Sequence, residues 1–203
     1  MNINKMLLTI NKYSRPAIGM SNIKGIVIHY VGNPNTSALA NRNYFENLKN
    51  GNATYASSHY IIGLDGEIIM CIPENEVAYH ASNANYNYIG IECCHPNSDG
   101  KFNESTINSL IWLCKDIISR YGNIDIIRHY DVTGKKCPLY YVNNKNEWDK
   151  LLIKIKEENN NMTVDEAVTI LKNNLSLEDN TINFLLCYKF GDELVKRIAK
   201  NII

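Results

Sequence analysis

The chain has 203 residues, 45% apolar and 21% charged, a balance that suits one or two packed domains and excludes charge-driven disorder. Its 21 basic and 21 acidic residues cancel, which argues against a nucleic-acid binder, and no apolar run approaches the ~18–20 residues of a membrane span. The start, MNINKMLLTINKYSRP, holds only a four-residue apolar patch (Met6 to Thr9), too short for the core of a signal peptide, so no export signal is expected.

In chain order, KGIVIHYV (Lys24 to Val31) is rich in β-branched residues and predicts a buried strand. Ser37 then caps a helix through Ala40, Tyr44 and Leu48, at spacing four. SHYIIGL and EIIMCIP flank Asp65-Gly66, which predicts a β-hairpin closed by a type I′ turn with positive φ at both central residues. YIGIECC (Tyr88 to Cys94) is a further strand. Ile107, Leu110, Ile111, Cys114, Ile117 and Ile118 form the stripe of an amphipathic helix. NIDIIRHY (Asn123 to Tyr130) is a strand entering a loop, and Trp148, Leu151, Leu152 and Ile155 mark a closing helix.

Composition changes once, at the polar stretch EENNNMT (Glu157 to Thr163). The expected division is a first domain over 1–157, a linker over 158–162 and a helical domain over 163–203. Thr163 and Glu166 form a capping box, and two more short helices follow around Gly191. The fold class expected is α/β, a central mixed β-sheet flanked by helices, with a small all-helical C-terminal domain that buries too little surface to be stable unaided. That domain is expected to dock, to self-associate into a homo-oligomer, or both. Met162, beside the linker, offers an internal translation start. The six cysteines lack paired CxxC spacing and are read as reduced and mostly buried. Adjacent Cys93 and Cys94 point to opposite faces of their strand.

The residues that suggest chemistry sit at strand ends. His29 lies within IVIHYV, His129 ends IIRH, and Cys137 follows in the loop RHYDVTGKKCP. Two imidazoles and a thiolate make a three-ligand zinc set that leaves one tetrahedral position for water, although a histidine in a strand is commonly a satisfied core residue. Glu92, amid apolar neighbours in YIGIECC, carries a carboxyl whose pKa burial would raise, as suits a proton shuttle.

The blocks IVIHYVGN, SSHYIIGLDGEI, EVAYHASNANYNYIGIECC and IIRHYDVTGKKCP, in this order and spacing, resemble the zinc-dependent type 2 N-acetylmuramoyl-L-alanine amidases, which include phage endolysins and share a fold with peptidoglycan recognition proteins. The resemblance covers roughly Lys24 to Leu152. It implies that His29, His129 and Cys137 hold one Zn²⁺ per chain, that Glu92 is the general base and that Lys135 stabilises the oxyanion, Lys136 being the competing candidate. It also implies that His59 and His80 line the substrate groove. Ser58 stands where one branch has a catalytic Tyr, which shifts the weight to Glu92. Asn85, with its neighbours Asn83 and Asn87, offers an amide to a sugar or stem peptide.

The activity implied is hydrolysis of the amide between the lactyl group of N-acetylmuramic acid and L-alanine of the stem peptide. The partner is bacterial peptidoglycan, with neither nucleic acid nor membrane insertion. Without an export signal, a phage or prophage lysis protein is expected to wait in the host cytoplasm and reach the cell wall through a holin-type lesion. Two other readings are a non-catalytic peptidoglycan-binding module and a thiol hydrolase using Cys94 with His95 or His80. Retention of Cys137 speaks against the first. The opposed directions of adjacent strand residues speak against a Cys94–His95 pair.

Overall fold

The computed structural model describes residues 1–51, 54–156, 163–200 and 202; the expected linker over 158–162, with Met162, lies outside the described residues. The chain divides into two compact units, Met1–Lys156 and Glu157–Ile203.

In the first unit, β1 (Ile3–Lys5), β2 (Gly25–Tyr30), β3 (Tyr60–Ile62), β4 (Ile68–Met70), β5 (Tyr88–Cys93) and β6 (Asp125–Arg128) form one six-stranded sheet in the order β1-β4-β3-β5-β2-β6. Among the described residues β3 and β4 are the one antiparallel strand pair of this sheet, and the other pairs are parallel, so the sheet is mixed. β5 and β2 are adjacent interior strands, paired in register with His29 opposite Glu92.

Strand alternation separates two faces. Ile26, Ile28, Ile89, Ile91 and Cys93 pack with Leu110, Leu113, Cys114 and Ile117 of α2 (Glu104–Tyr121) and with Trp148, Leu151 and Ile155 of α5 (Lys145–Lys156). The Asn103 side chain caps α2 by accepting from the Thr106 amide at 2.8 Å. On the opposite face Ile61, Ile69 and Cys94 pack with Ala38, Phe45 and Leu48, at or just beyond α1 (Ala38–Asn47), while Val27 meets Ala81 and Ala84. Cys93 and Cys94 thus serve different layers, and all six cysteines are free, five of them buried. Between β6 and α5 come two short helices, α3 (His129–Thr133) and α4 (Leu139–Asn143).

Two local expectations need correction, and one element was missed. The hairpin forms, but not on a type I′ turn. Of the two central residues only Gly66 has positive φ, at 83°, and Gly66 donates to the Gly63 carbonyl at 3.2 Å while Gly63 donates to Glu67 at 2.9 Å. That is a type I turn followed by a left-handed glycine, one residue longer than expected. In α1 the buried residues are Ala38 and Phe45, with Leu48 buried just beyond its end, while Ala40 and Tyr44 are exposed. Steps of four drift by about 40° each around a 3.6-residue helix, whereas the step of seven from Ala38 to Phe45 returns to within about 20° of one face. The edge strand β1 was not anticipated, because three residues of mixed polarity carry no readable period.

In the second unit, α6 (Val164–Leu175), α7 (Asp179–Leu186) and α8 (Gly191–Lys200) follow a reciprocal Thr163–Glu166 capping box. Ala167, Leu171, Val195 and Ala199 form its fully buried centre, while Phe184, Tyr188 and Phe190 stay exposed.

Candidate functional site

The site is built where β2, β5 and β6 end. Each reaches its carboxyl end at the same edge of the sheet, the edge at which open α/β sheets bind ligands. His29 and Glu92 sit opposite each other one residue before the ends of β2 and β5, and His129 immediately follows β6. The chain then turns through α3 and comes back, held by the Tyr130 amide donating to the Cys137 carbonyl at 2.9 Å. That one backbone bond returns Cys137 to the His129 position.

The donor atoms converge. His29 Nδ1 lies 3.1 Å from His129 Nδ1 and 3.7 Å from Cys137 Sγ, and ligand atoms of all three residues fall within 4.8 Å of one another. Tetrahedral zinc with bonds of about 2.0–2.3 Å separates its ligands by roughly 3.3–3.7 Å, so the set has the size a zinc ion requires. Burial disfavours charge throughout. It lowers His29 well below its ordinary value, helped by His80, His129 and Lys135, and lowers His129 to about 4. It raises the Cys137 thiol to about 12, with the Glu92 carboxyl adding to the effect.

Glu92 Oε1 is 3.9 Å from His29 Nδ1, while its other oxygen, Oε2, is buried with no hydrogen-bond partner among the described residues. Burial lifts this carboxyl to about 8 against the opposing pull of Lys135. Since burial favours the neutral form of both Glu92 and His29, the two are neighbours rather than an ion pair. A donor set of two nitrogens and one sulfur beside an orphaned carboxylate oxygen fits a bound cation that would draw the thiolate and the carboxylate into their charged forms.

These groups open into a cavity of about 480 Å³ whose wall includes His29, His80, Glu92, His129, Lys135 and Cys137. Lys135 is exposed and lines it; Lys136 is not among the lining residues. Tyr30, Tyr44, Tyr55 and Tyr79 complete the wall. Sequence reasoning missed this aromatic rim: Tyr55 and Tyr79 lie in irregular segments with no spacing to reveal their direction, and Tyr30 and Tyr44 meet them only through the tertiary fold.

The residues expected to bind substrate behave differently. His59 is fully buried and does not line the cavity: its Nδ1 accepts from the Gly90 amide at 2.9 Å and its Nε2 donates to the Glu76 carbonyl at 2.9 Å. Neither nitrogen is left for a ligand. Asn85 also lies outside the lining, and its side-chain oxygen accepts from the amides of His80 (2.9 Å) and Ala81 (2.7 Å), closing the turn over Ser82–Tyr86. His80 does reach the cavity, with both ring nitrogens already engaged. Ser58 is buried, its Oγ 2.8 Å from the carbonyls of both Tyr60 and Gly90. The thiol-hydrolase reading finds no support, since Cys94 Sγ faces Asn41 Nδ2 at 3.6 Å and burial pushes it up to about 12.

Comparison with known proteins follows the same lines. A family profile described as N-acetylmuramoyl-L-alanine amidase matches residues 19–139. A probable N-acetylmuramoyl-L-alanine amidase of Bacillus licheniformis is 40% identical over 147 residues, 66% of this chain and 41% of that protein. The amidase CwlL of the same organism is 35% identical over 180 residues, 81% of this chain and 49% of that protein. The chain therefore spans less than half the length of these curated relatives. Among solved structures, a mutant endolysin from Bacillus subtilis superposes with a TM-score of 0.63 at 29% identity, covering 76% of this chain and 98% of that one. With the profile spanning more than half its length and a mixed sheet of the same architecture, this chain belongs to the N-acetylmuramoyl-L-alanine amidase family.

Proposed function

We propose that this protein is a zinc-dependent peptidoglycan hydrolase that cleaves the amide between the lactyl group of N-acetylmuramic acid and L-alanine of the stem peptide. The observation that carries this reading is the meeting of His29, His129 and Cys137 beside the unpartnered Glu92 oxygen in one open cavity. His29 Nδ1, an imidazole nitrogen of His129 and the Cys137 sulfur would hold the ion. When bound, zinc supplies Lewis acidity to the scissile carbonyl and to the attacking water.

The chain's own groups do the rest. Glu92 accepts the proton of the attacking water on its free Oε2 and passes it to the departing L-alanine nitrogen, a shuttle suited to a carboxyl held well above its ordinary range. Lys135 places a fixed positive charge at the cavity wall for the oxyanion of the tetrahedral intermediate. Tyr44, Tyr55 and Tyr79 offer ring surface along the groove to the chain that enters it.

In this reading residues 1–157 are the catalytic domain, 158–162 a linker, and 163–203 a helical domain that targets the wall or assembles copies of the chain. The likeness to an endolysin supports action on a bacterial cell wall; the route proposed to it is from the host cytoplasm through a holin-type lesion. Mass spectrometry of purified sacculi digested by the protein is the test. Release of intact stem peptides bearing a free L-alanine amine, abolished by chelation and restored by Zn²⁺, is expected. Binding without release, or activity that survives complete removal of metal, would overturn it.

A further inference from the structure

Four imidazoles run in a row through this site, and only two of them are proposed ligands. His129 contacts His29, His29 contacts His80, and His80 packs against His59, with ring centroids 4.7, 5.2 and 5.9 Å apart. We propose that His80 is a positioning residue that fixes the tautomer and orientation of His29, so that His29 presents the Nδ1 lone pair to the metal position.

The proton inventory follows from the partners. His80 Nε2 lies 3.1 Å from the Tyr88 carbonyl, which can only accept, so this nitrogen carries the hydrogen. His80 Nδ1 is then the acceptor of a neutral ring, and it lies 3.1 Å from His29 Nε2. His29 must donate from Nε2, and its Nδ1, the atom facing His129 and Cys137, keeps its lone pair. A ligating histidine that hands its second N–H to an acceptor is held in one tautomer and made more basic.

The surroundings lock His80 in turn. The Asn85 side chain grips the amides of His80 and Ala81. Gly90, on β5, leaves the ring its space: a Cβ there would lie 2.6 Å from His80 Cγ. The Gly90 amide also donates to His59 Nδ1, so one residue meets both imidazoles that are not proposed ligands. These observations give His59, Asn85 and Gly90 a shared task, supporting a ring that supports a ligand.

The inference rests on the proposed metal site, and the experiment separates the two. Zinc affinity of the full chain is measured by chelator competition for wild type, His80→Leu, His80→Gln and Gly90→Ala. The ¹⁵N signals of the histidine rings are recorded on the metal-free proteins. His80→Leu should bind zinc about 10–100-fold more weakly and lose the single Nε2–H tautomer of His29. His80→Gln, whose amide offers an acceptor and a donor at similar spacing, should stay close to wild type in both. Gly90→Ala should reproduce the loss with every histidine still present, and carries the test if the leucine variant does not fold. Wild-type affinity and an unchanged His29 tautomer in His80→Leu would overturn the relay alone, as would a glutamine variant as weak as the leucine one. A wild-type protein that takes up no zinc would overturn the metal reading, and the relay with it.

Discussion

Two carboxylates, the buried Glu74 and the half-buried Glu92, show how one residue type serves two ends. Glu74 accepts from Tyr60 Oη at 2.7 Å, from Tyr121 Oη at 2.9 Å and from both terminal nitrogens of Arg120. Burial pushes its pKa up, but Arg120 and the two phenols overcome that and leave it below the ordinary value. Glu92 has no such company: Oε2 is orphaned and burial carries the group to about 8. A satisfied buried carboxylate is a structural tie between β3, the segment after β4 and α2. An unsatisfied one is costly to keep and marks where an absent partner acts.

Substitutions should pull this pair apart. Glu92→Gln is expected to lower kcat by about 10²–10⁴-fold while the protein stays folded and loads zinc, checked by turnover on sacculi and metal analysis. It should also change how stability depends on pH in the metal-free protein. Between the ordinary carboxyl value of about 4.5 and the folded value of about 8, the native state holds a proton that the unfolded state has lost, so stability falls as pH rises through that window. The glutamine variant lacks this fall, and its advantage in urea midpoint over wild type should grow from pH 5 to pH 8.

Lys135→Ala should cost about 10²-fold in kcat with zinc content unchanged; an equal loss for Lys136→Ala would mean the wrong lysine carries the charge. Glu74→Gln should do the reverse of Glu92→Gln, removing about 2 kcal/mol of stability with turnover nearly intact. Its sign with pH is opposite too. The folded carboxyl titrates below the unfolded one, so the Glu74 contribution is present above about pH 4.5 and lost as acid protonates it. The gap between wild type and Glu74→Gln should therefore close toward low pH. Loss of turnover in Glu74→Gln without loss of stability would break the contrast.

The parts of the fold legible in the sequence were those with a strong local period. The α2 stripe, the β-branched run of β2, the hairpin and the capping box of α6 each follow from residues a few positions apart. The type I turn at Gly63–Gly66, the edge strand β1 and the true inward face of α1 were not legible. Each depends on what the segment packs against rather than on its own pattern. The candidate site divided along similar lines. His29, Glu92, His129, Lys135 and Cys137 were nominated by chemistry and resemblance, and all five line one cavity. His59 was nominated by resemblance and Asn85 by composition, yet both ring nitrogens of His59 and the side-chain oxygen of Asn85 are spent on backbone groups.

Sequence alone therefore determined the inventory: which elements form, which family the order of blocks resembles, and which side chains are chemically able to hold a metal or move a proton. Only the tertiary structure decided how those side chains are employed. A histidine is ligand, relay or strut according to which atoms meet its two nitrogens, and those atoms come from strands and turns far away in the chain. Hydrogen bonds act over about 3 Å, so this choice is made by sheet register and loop closure, to which local sequence patterns are blind.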